Sequence, residues 1–124
     1  MQALIVEDEV LTAMHLEAAL EDLGVQGVGI APDMPAALAL AERAPDLALV
    51  DMNLRDGLTG PHIAERLAQR GVAILFVTAN PAQIGAQRRL AIGILGKPFD
   101  EDELARAVEQ VRTHRQSSEA QRAW

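Results

Sequence analysis

The sequence predicts an α/β fold in which five βα units build one parallel sheet wound with helices on both faces, and three observations carry that prediction. Short runs rich in Val, Ile, Leu and Ala alternate with stretches of helical periodicity along the whole chain. The runs at 47–50 and 72–77 are continuously apolar, as strands covered on both faces must be. Pro, Gly, Asp or Asn punctuates most of the boundaries. A chain of 124 residues forms one domain, large enough to hold a core without a metal or disulfide staple.

The elements follow in order. Gln2–Val6 is a strand that breaks into Glu7-Asp8-Glu9, and a helix follows with Leu16, Leu20 and Leu23 on one face, ending at Gly24. Gln26–Ala31 is a weaker, glycine-diluted strand. The second helix, Asp33–Arg43, is entered through Pro32 and Pro35 and closed by Pro45. Asp46–Val50 leads into Asp51, the carboxylate at the end of the third strand, and the loop Met52–Thr59 then enters a helix over Gly60–Gln69 with Pro61 in its first turn. Val72–Thr78 is the fourth strand. A poor fourth helix is expected from Pro81 to about Ala91, because Gly85 interrupts it and Gln83, Gln87, Arg88 and Arg89 leave it little apolar face. The fifth strand is short, Gly93–Leu95. Asp100 and Glu103 form a capping box for a fifth helix carrying Leu104, Val108 and Val111 inward. The domain is expected over residues 1–113, with 114–124 a polar, frayed tail. Right-handed crossovers in so short a chain favour the flavodoxin-like strand order 2-1-3-4-5.

Composition narrows the function. A net charge of −7 argues against nucleic acid or an anionic membrane as partner. No run is long and apolar enough for a span, and the first residues carry no basic leader, so a cytoplasmic protein is expected. Cysteine is absent, which removes thiol and Cys-zinc chemistry. Ten of the eleven basic residues are arginine, and the single lysine is Lys97.

In the 2-1-3-4-5 order, the ends of strands 1, 3, 4 and 5 carry Glu7-Asp8, Asp51, Thr78 and Lys97 to one rim. Each has a bland reading when taken singly. Asp51 can cap its loop, the acidic run can be solvated ahead of a helix, Thr78 can be an ordinary strand residue and Lys97 a surface lysine. Together they form a constellation. Crowded carboxylates need a proton or a hard cation between them, and an all-oxygen set points to Mg²⁺. Asp8 and Asp51 would ligate it directly, Glu7 through water, and Asn53 by its backbone carbonyl. Asp51 could then act as a nucleophile toward phosphorus, with Thr78 and Lys97 holding the transferring oxygens.

On Ile5-Val6-Glu7-Asp8-Glu9, Leu49-Val50-Asp51, Val77-Thr78-Ala79 and Gly96-Lys97-Pro98-Phe99, residues 2 to 113 resemble a bacterial response-regulator receiver domain, the phosphoacceptor half of two-component signalling. The resemblance implies that Asp51 is phosphorylated, with Mg²⁺, from a phosphohistidine on a sensor histidine kinase or a histidine phosphotransfer protein. It implies Mg²⁺-assisted self-phosphorylation and slow self-dephosphorylation rather than enzymatic turnover. Thr78, with Ala79 beside it, would shift toward the phosphate, and the Lys97–Pro98 bond would be cis. A downstream protein would read the face made by the fourth helix, fifth strand and fifth helix, and the protein would be a monomer or a phosphorylation-dependent dimer. With no output domain after the last helix, a stand-alone type is expected. Two departures stand out. Ile94 occupies the place where relatives carry the switching Tyr or Phe, so coupling is expected to run through the weak fourth helix. Arg55-Asp56-Gly57 stands where many relatives have a proline.

Three other readings compete. A Mg²⁺-dependent phosphohydrolase of the haloacid-dehalogenase type also uses a strand-end aspartate, but it needs an acid/base aspartate two residues on, where this chain has Asn53. A receiver-like module that binds partners without being phosphorylated would have no need of the full acidic set and the lone lysine. A flavodoxin-like FMN carrier lacks both a Ser/Thr/Gly phosphate loop and aromatics for the ring.

Overall fold

The computed structural model describes residues 1–122, with side-chain surroundings through 117. Its strands are β1 (Gln2–Val6), β2 (Gln26–Ala31), β3 (Leu47–Asp51), β4 (Ala73–Thr78) and β5 (Ala91–Gly96). Its helices are α1 (Val10–Asp22), α2 (Met34–Leu40), α3 (Gly60–Gln69) and α4 (Glu101–Arg122). The strands pair in parallel as one sheet in the order β2-β1-β3-β4-β5, the predicted topology.

Alternating side chains of the strands feed two cores. On one face, Ile5, Leu49 and Leu75 pack against Leu16 and Leu20 of α1 and Leu104, Val108 and Val111 of α4. On the other, Leu4, Val50 and Phe76 meet Ala37 of α2 and Ile63 and Leu67 of α3. Each of these large side chains is fully buried, which stabilises the fold by roughly 1.5–3 kcal/mol apiece. The middle strand β3 is buried along its whole length, so its last residue arrives at the rim in a fixed position.

Local chemistry sets the boundaries. Gly24 adopts φ +78° just past α1, a left-handed conformation that costs glycine little. Asp33 caps α2 by accepting from the Ala36 amide at 3.0 Å. Asp100 Oδ1 accepts from the amides of Asp102 and Glu103 at 2.7 and 3.3 Å, which opens α4.

Three expectations are corrected. The fourth helix does not form as an α-helix: Pro81–Gln83 and Gly85–Leu90 are 3-10 turns. Gly85 sits at φ +59°, and Ile84 alone in this stretch is buried, so nothing rewards a regular helix. β5 starts two residues earlier than expected, at Ala91, which pairs with Ile74 of β4. The last helix does not fray near Thr113 but continues to Arg122. Residues 114–122 hold no Gly or Pro, and Arg115 Nη1 reaches Asp46 Oδ1 at 2.5 Å, tying the extension to the start of β3. The remainder of the expected tail, 123–124, lies outside the described residues. No helix among the described residues is long and apolar enough to cross a membrane.

Candidate functional site

The parallel sheet delivers the ends of β1, β3, β4 and β5 to one rim, and each end carries a polar residue because the apolar run stops there. Glu7 follows β1 and is 2% exposed; its amide donates to Ala31 of β2 at 2.9 Å, which holds it in line with the strand. Asp51 closes β3 at 6% exposure, and its Oδ1 accepts from the Met52 amide at 2.7 Å. Glu7, exposed Asp8 and Asp51 each present a carboxylate oxygen within 4.8 Å of the others.

Lys97 closes the cluster. Its Nζ lies 2.5 Å from Glu7 Oε1 and 2.9 Å from Asp51 Oδ2, and reaches exposed Glu9 at 3.4 Å. The Lys97–Pro98 peptide bond is cis. The Lys97 amide donates to the Thr78 carbonyl at 3.1 Å, so the ends of β4 and β5 are joined at the site.

Electrostatics follow from that geometry. Burial, and then the adjoining Asp51 carboxylate, push the Glu7 carboxyl up to about 8 against the opposing pull of Lys97. Burial works against the Lys97 ammonium, but Glu7 and Asp51 outweigh it and hold the ammonium above its ordinary range. Glu7 Oε2 is buried with no hydrogen-bond partner. An all-oxygen set at this spacing, with one oxygen orphaned and one acid pushed toward its protonated form, fits a hard divalent cation such as Mg²⁺.

Thr78 is buried at the end of β4, where its Oγ1 accepts from the Asn80 amide at 3.1 Å; among the described residues its hydroxyl bonds neither Asp51 nor Lys97. Ala79 follows it in the same loop. Asn53 is exposed, and its Nδ2 donates to Gln83 Oε1 at 3.3 Å, linking the loop after β3 to the first 3-10 turn after β4. Ile94 pairs with Phe76 in the sheet and packs partly buried on the second core. It therefore offers no ring to swing toward Thr78.

Two participants are not evident from residue types. Glu9 reads as part of a solvated acidic run, yet it is a third carboxylate near Lys97. Gly60 reads as a helix start, yet a Cβ there would fall 1.9 Å from the Asp51 carbonyl oxygen.

Comparisons with known proteins agree with this architecture. Residues 3–109 match the family described as the response regulator receiver domain. The phyllosphere-induced regulator PhyR of Methylorubrum extorquens is 32% identical over 126 residues, which cover 98% of this chain and 47% of that protein. The transcriptional regulatory protein PdtaR of Mycobacterium tuberculosis is 34% identical over 115 residues, 87% of this chain and 55% of that protein. The chain thus spans about half the length of the curated relatives it matches. The crystal structure of the signal receiver domain of a modulated diguanylate cyclase from Desulfovibrio desulfuricans G20 superposes with a TM-score of 0.85 at 33% identity, covering 94% of this chain and 97% of that one.

Proposed function

Because the chain belongs to the response regulator receiver domain family, whose members are signalling regulators rather than catalytic enzymes, we propose that Asp51 is its phosphoacceptor and that the rim cluster is built to hold the phosphoryl group there. The observation that carries this reading is the placement of the chain's one lysine between two buried carboxylates, beside a third that is exposed.

A carboxylate oxygen of Asp51 attacks phosphorus while the bond from phosphorus to the donor's imidazole nitrogen breaks, and the electron pair leaves with that nitrogen. The Met52 amide holds Asp51 Oδ1 and so sets the plane of the nucleophile. Asp8 and Asp51, with Glu7 through water and the Asn53 carbonyl, would hold Mg²⁺, which when bound neutralises the transferring oxygens. Glu7 would serve that cation in its ionised form. Lys97 exchanges part of its contact with Asp51 for a phosphoryl oxygen, and the Thr78 hydroxyl leaves the Asn80 amide to meet another. Ala79 moves with it.

The donor is a phosphohistidine on a sensor kinase or phosphotransfer protein in the cytoplasm. The signal passes to a partner protein through the face made by the 3-10 segment, β5 and α4. Incubation with MgCl₂ and acetyl phosphate tests the reading: stoichiometric labelling that EDTA abolishes is expected. Sustained release of phosphate from ordinary phosphomonoesters would instead favour a hydrolase, which Asn53 argues against because it cannot serve as general acid.

A further inference from the structure

The loop between β3 and α3 is closed on itself and then fastened to the start of α2. Leu54 and Gly57 exchange backbone hydrogen bonds at 2.9 and 3.0 Å, with Gly57 at φ +104°, so residues 54–57 form a tight bend. The Gly60 amide donates to the Met52 carbonyl at 3.2 Å and closes the loop at its base. Three further contacts run from this bend to residues 32–34. The Arg55 amide donates to the Pro32 carbonyl at 3.1 Å, the Arg55 guanidinium pairs with Asp33, and Asp56 Oδ2 accepts from the Met34 amide at 3.1 Å. Asp56 Oδ1 accepts at the same time from the Thr59 hydroxyl at 2.6 Å.

We propose that Arg55 and Asp56 are positioning residues, which lock the acceptor loop onto the β2–α2 junction and thereby fix the Asn53 backbone for the cation. The inference rests on the reading of Asp51 as a Mg²⁺-assisted phosphoacceptor. Its physical basis is the placement of Asn53 between two anchors. Met52 and Leu54 are buried on either side of it, and the Arg55–Asp56 clamp begins one residue later. With both flanks pinned, the Asn53 carbonyl has little freedom of its own. The same β2–α2 junction also bonds the acidic loop, through Glu7 N to Ala31 O, so one short segment sets the separation between the two loops that supply the oxygens. Arg55 is largely exposed, and an exposed ion pair adds little to global stability. Its contribution is therefore local, a fixed loop rather than a more stable domain.

The test titrates MgCl₂ into wild type and into Asp56→Ala, Asp56→Asn, Arg55→Ala and Arg55→Lys, reading the dissociation constant by calorimetry. Amide exchange over residues 52–60 is measured in the absence of metal. Groups that orient metal ligands commonly change affinity about tenfold or more when removed, so the alanine variants are expected to bind Mg²⁺ about tenfold more weakly. The acetyl phosphate labelling rate at saturating Mg²⁺ is expected to fall less than the affinity. Exchange over 52–60 is expected to speed up while β1 and β3 stay protected. Arg55→Lys and Asp56→Asn, each keeping part of its contacts, are expected to recover part of the loss. Unchanged affinity and unchanged exchange in both alanine variants, with wild type binding Mg²⁺ and accepting phosphate, would overturn the clamp alone. A wild type that neither binds Mg²⁺ nor accepts phosphate would overturn the reading beneath it as well. If Asp56→Ala does not fold, Arg55→Ala decides, because its side-chain contact is at the surface.

Discussion

Lys97 Nζ sits 2.9 Å from Asp51 Oδ2, although the two residues are 46 positions apart and at the ends of two strands, β5 and β3, that β4 separates. The ammonium also bonds Glu7, so one cation joins the ends of β1, β3 and β5. In the absence of metal it is the principal charge balancing two buried carboxylates.

Removing it leaves those acids to repel one another. Lys97→Met is expected to lower stability in EDTA by about 1–3 kcal/mol, the usual cost of stranding a buried polar partner, with Glu7 absorbing part of the loss by keeping its proton. Added Mg²⁺ should restore most of that stability, while labelling by acetyl phosphate stays far below wild type. Lys97→Arg should not rescue labelling, because a planar fork cannot replace a compact ammonium between two carboxylates. Chemical denaturation with and without MgCl₂ reads both effects.

Gly60 is the second structural requirement. A methyl there would overlap the Asp51 carbonyl, so Gly60→Ala is expected to destabilise by about 2–4 kcal/mol. A Cβ on Gly96 would meet nothing within 4 Å, and Gly96→Ala should lie within about 0.5 kcal/mol of wild type. Equal midpoints for the two variants would contradict the crowding at Asp51.

Strand ends and their polar residues were legible in the sequence because a buried parallel strand must be apolar until it leaves the sheet. That rule placed Glu7, Asp51, Thr78 and Lys97 on one rim through topology alone. The stretch from Pro81 to Leu90 was legible as a weak helix but not as 3-10 turns, since that choice depends on how little Ile84 alone can anchor. The continuation of α4 was hidden because Arg115 reads as one more polar tail residue, and only the fold shows Asp46 opposite it. Gly60 was hidden for a related reason: close approach to a carbonyl leaves no trace in residue type. The loop clamp was legible only as Arg55-Asp56 standing where a proline is common.

Asp46 gives a pH dependence. Partial burial raises its carboxyl, but the Gln2 amide and the Arg115 guanidinium together hold it below the usual carboxylate range. A carboxyl depressed in the folded state stabilises the fold at pH above its unfolded value, and that contribution disappears as pH falls through the folded value. Arg115→Ala should therefore cost about 0.5–1 kcal/mol at neutral pH, as partly exposed ion pairs do. The difference from wild type should shrink once the pH drops below the ordinary aspartate range. A difference that persists undiminished in acid would contradict the ion pair.

Ile94 directs attention to the 3-10 segment. With no aromatic ring to follow Thr78, and with Gln83 bonded to Asn53 beside the acceptor, phosphorylation is expected to reorder residues 81–91. Beryllofluoride with Mg²⁺ should change amide protection across this stretch, and unchanged protection there would contradict the route.

Asp51 is the proposed seat of the phosphoryl group. Wild type and Asp51→Asn are incubated with MgCl₂ and acetyl phosphate, and intact mass is followed by peptide mapping. A gain of one phosphoryl group is expected in wild type, carried by the peptide containing Asp51, and no gain in the variant. Equal labelling of both proteins, or labelling at any other residue, would contradict it.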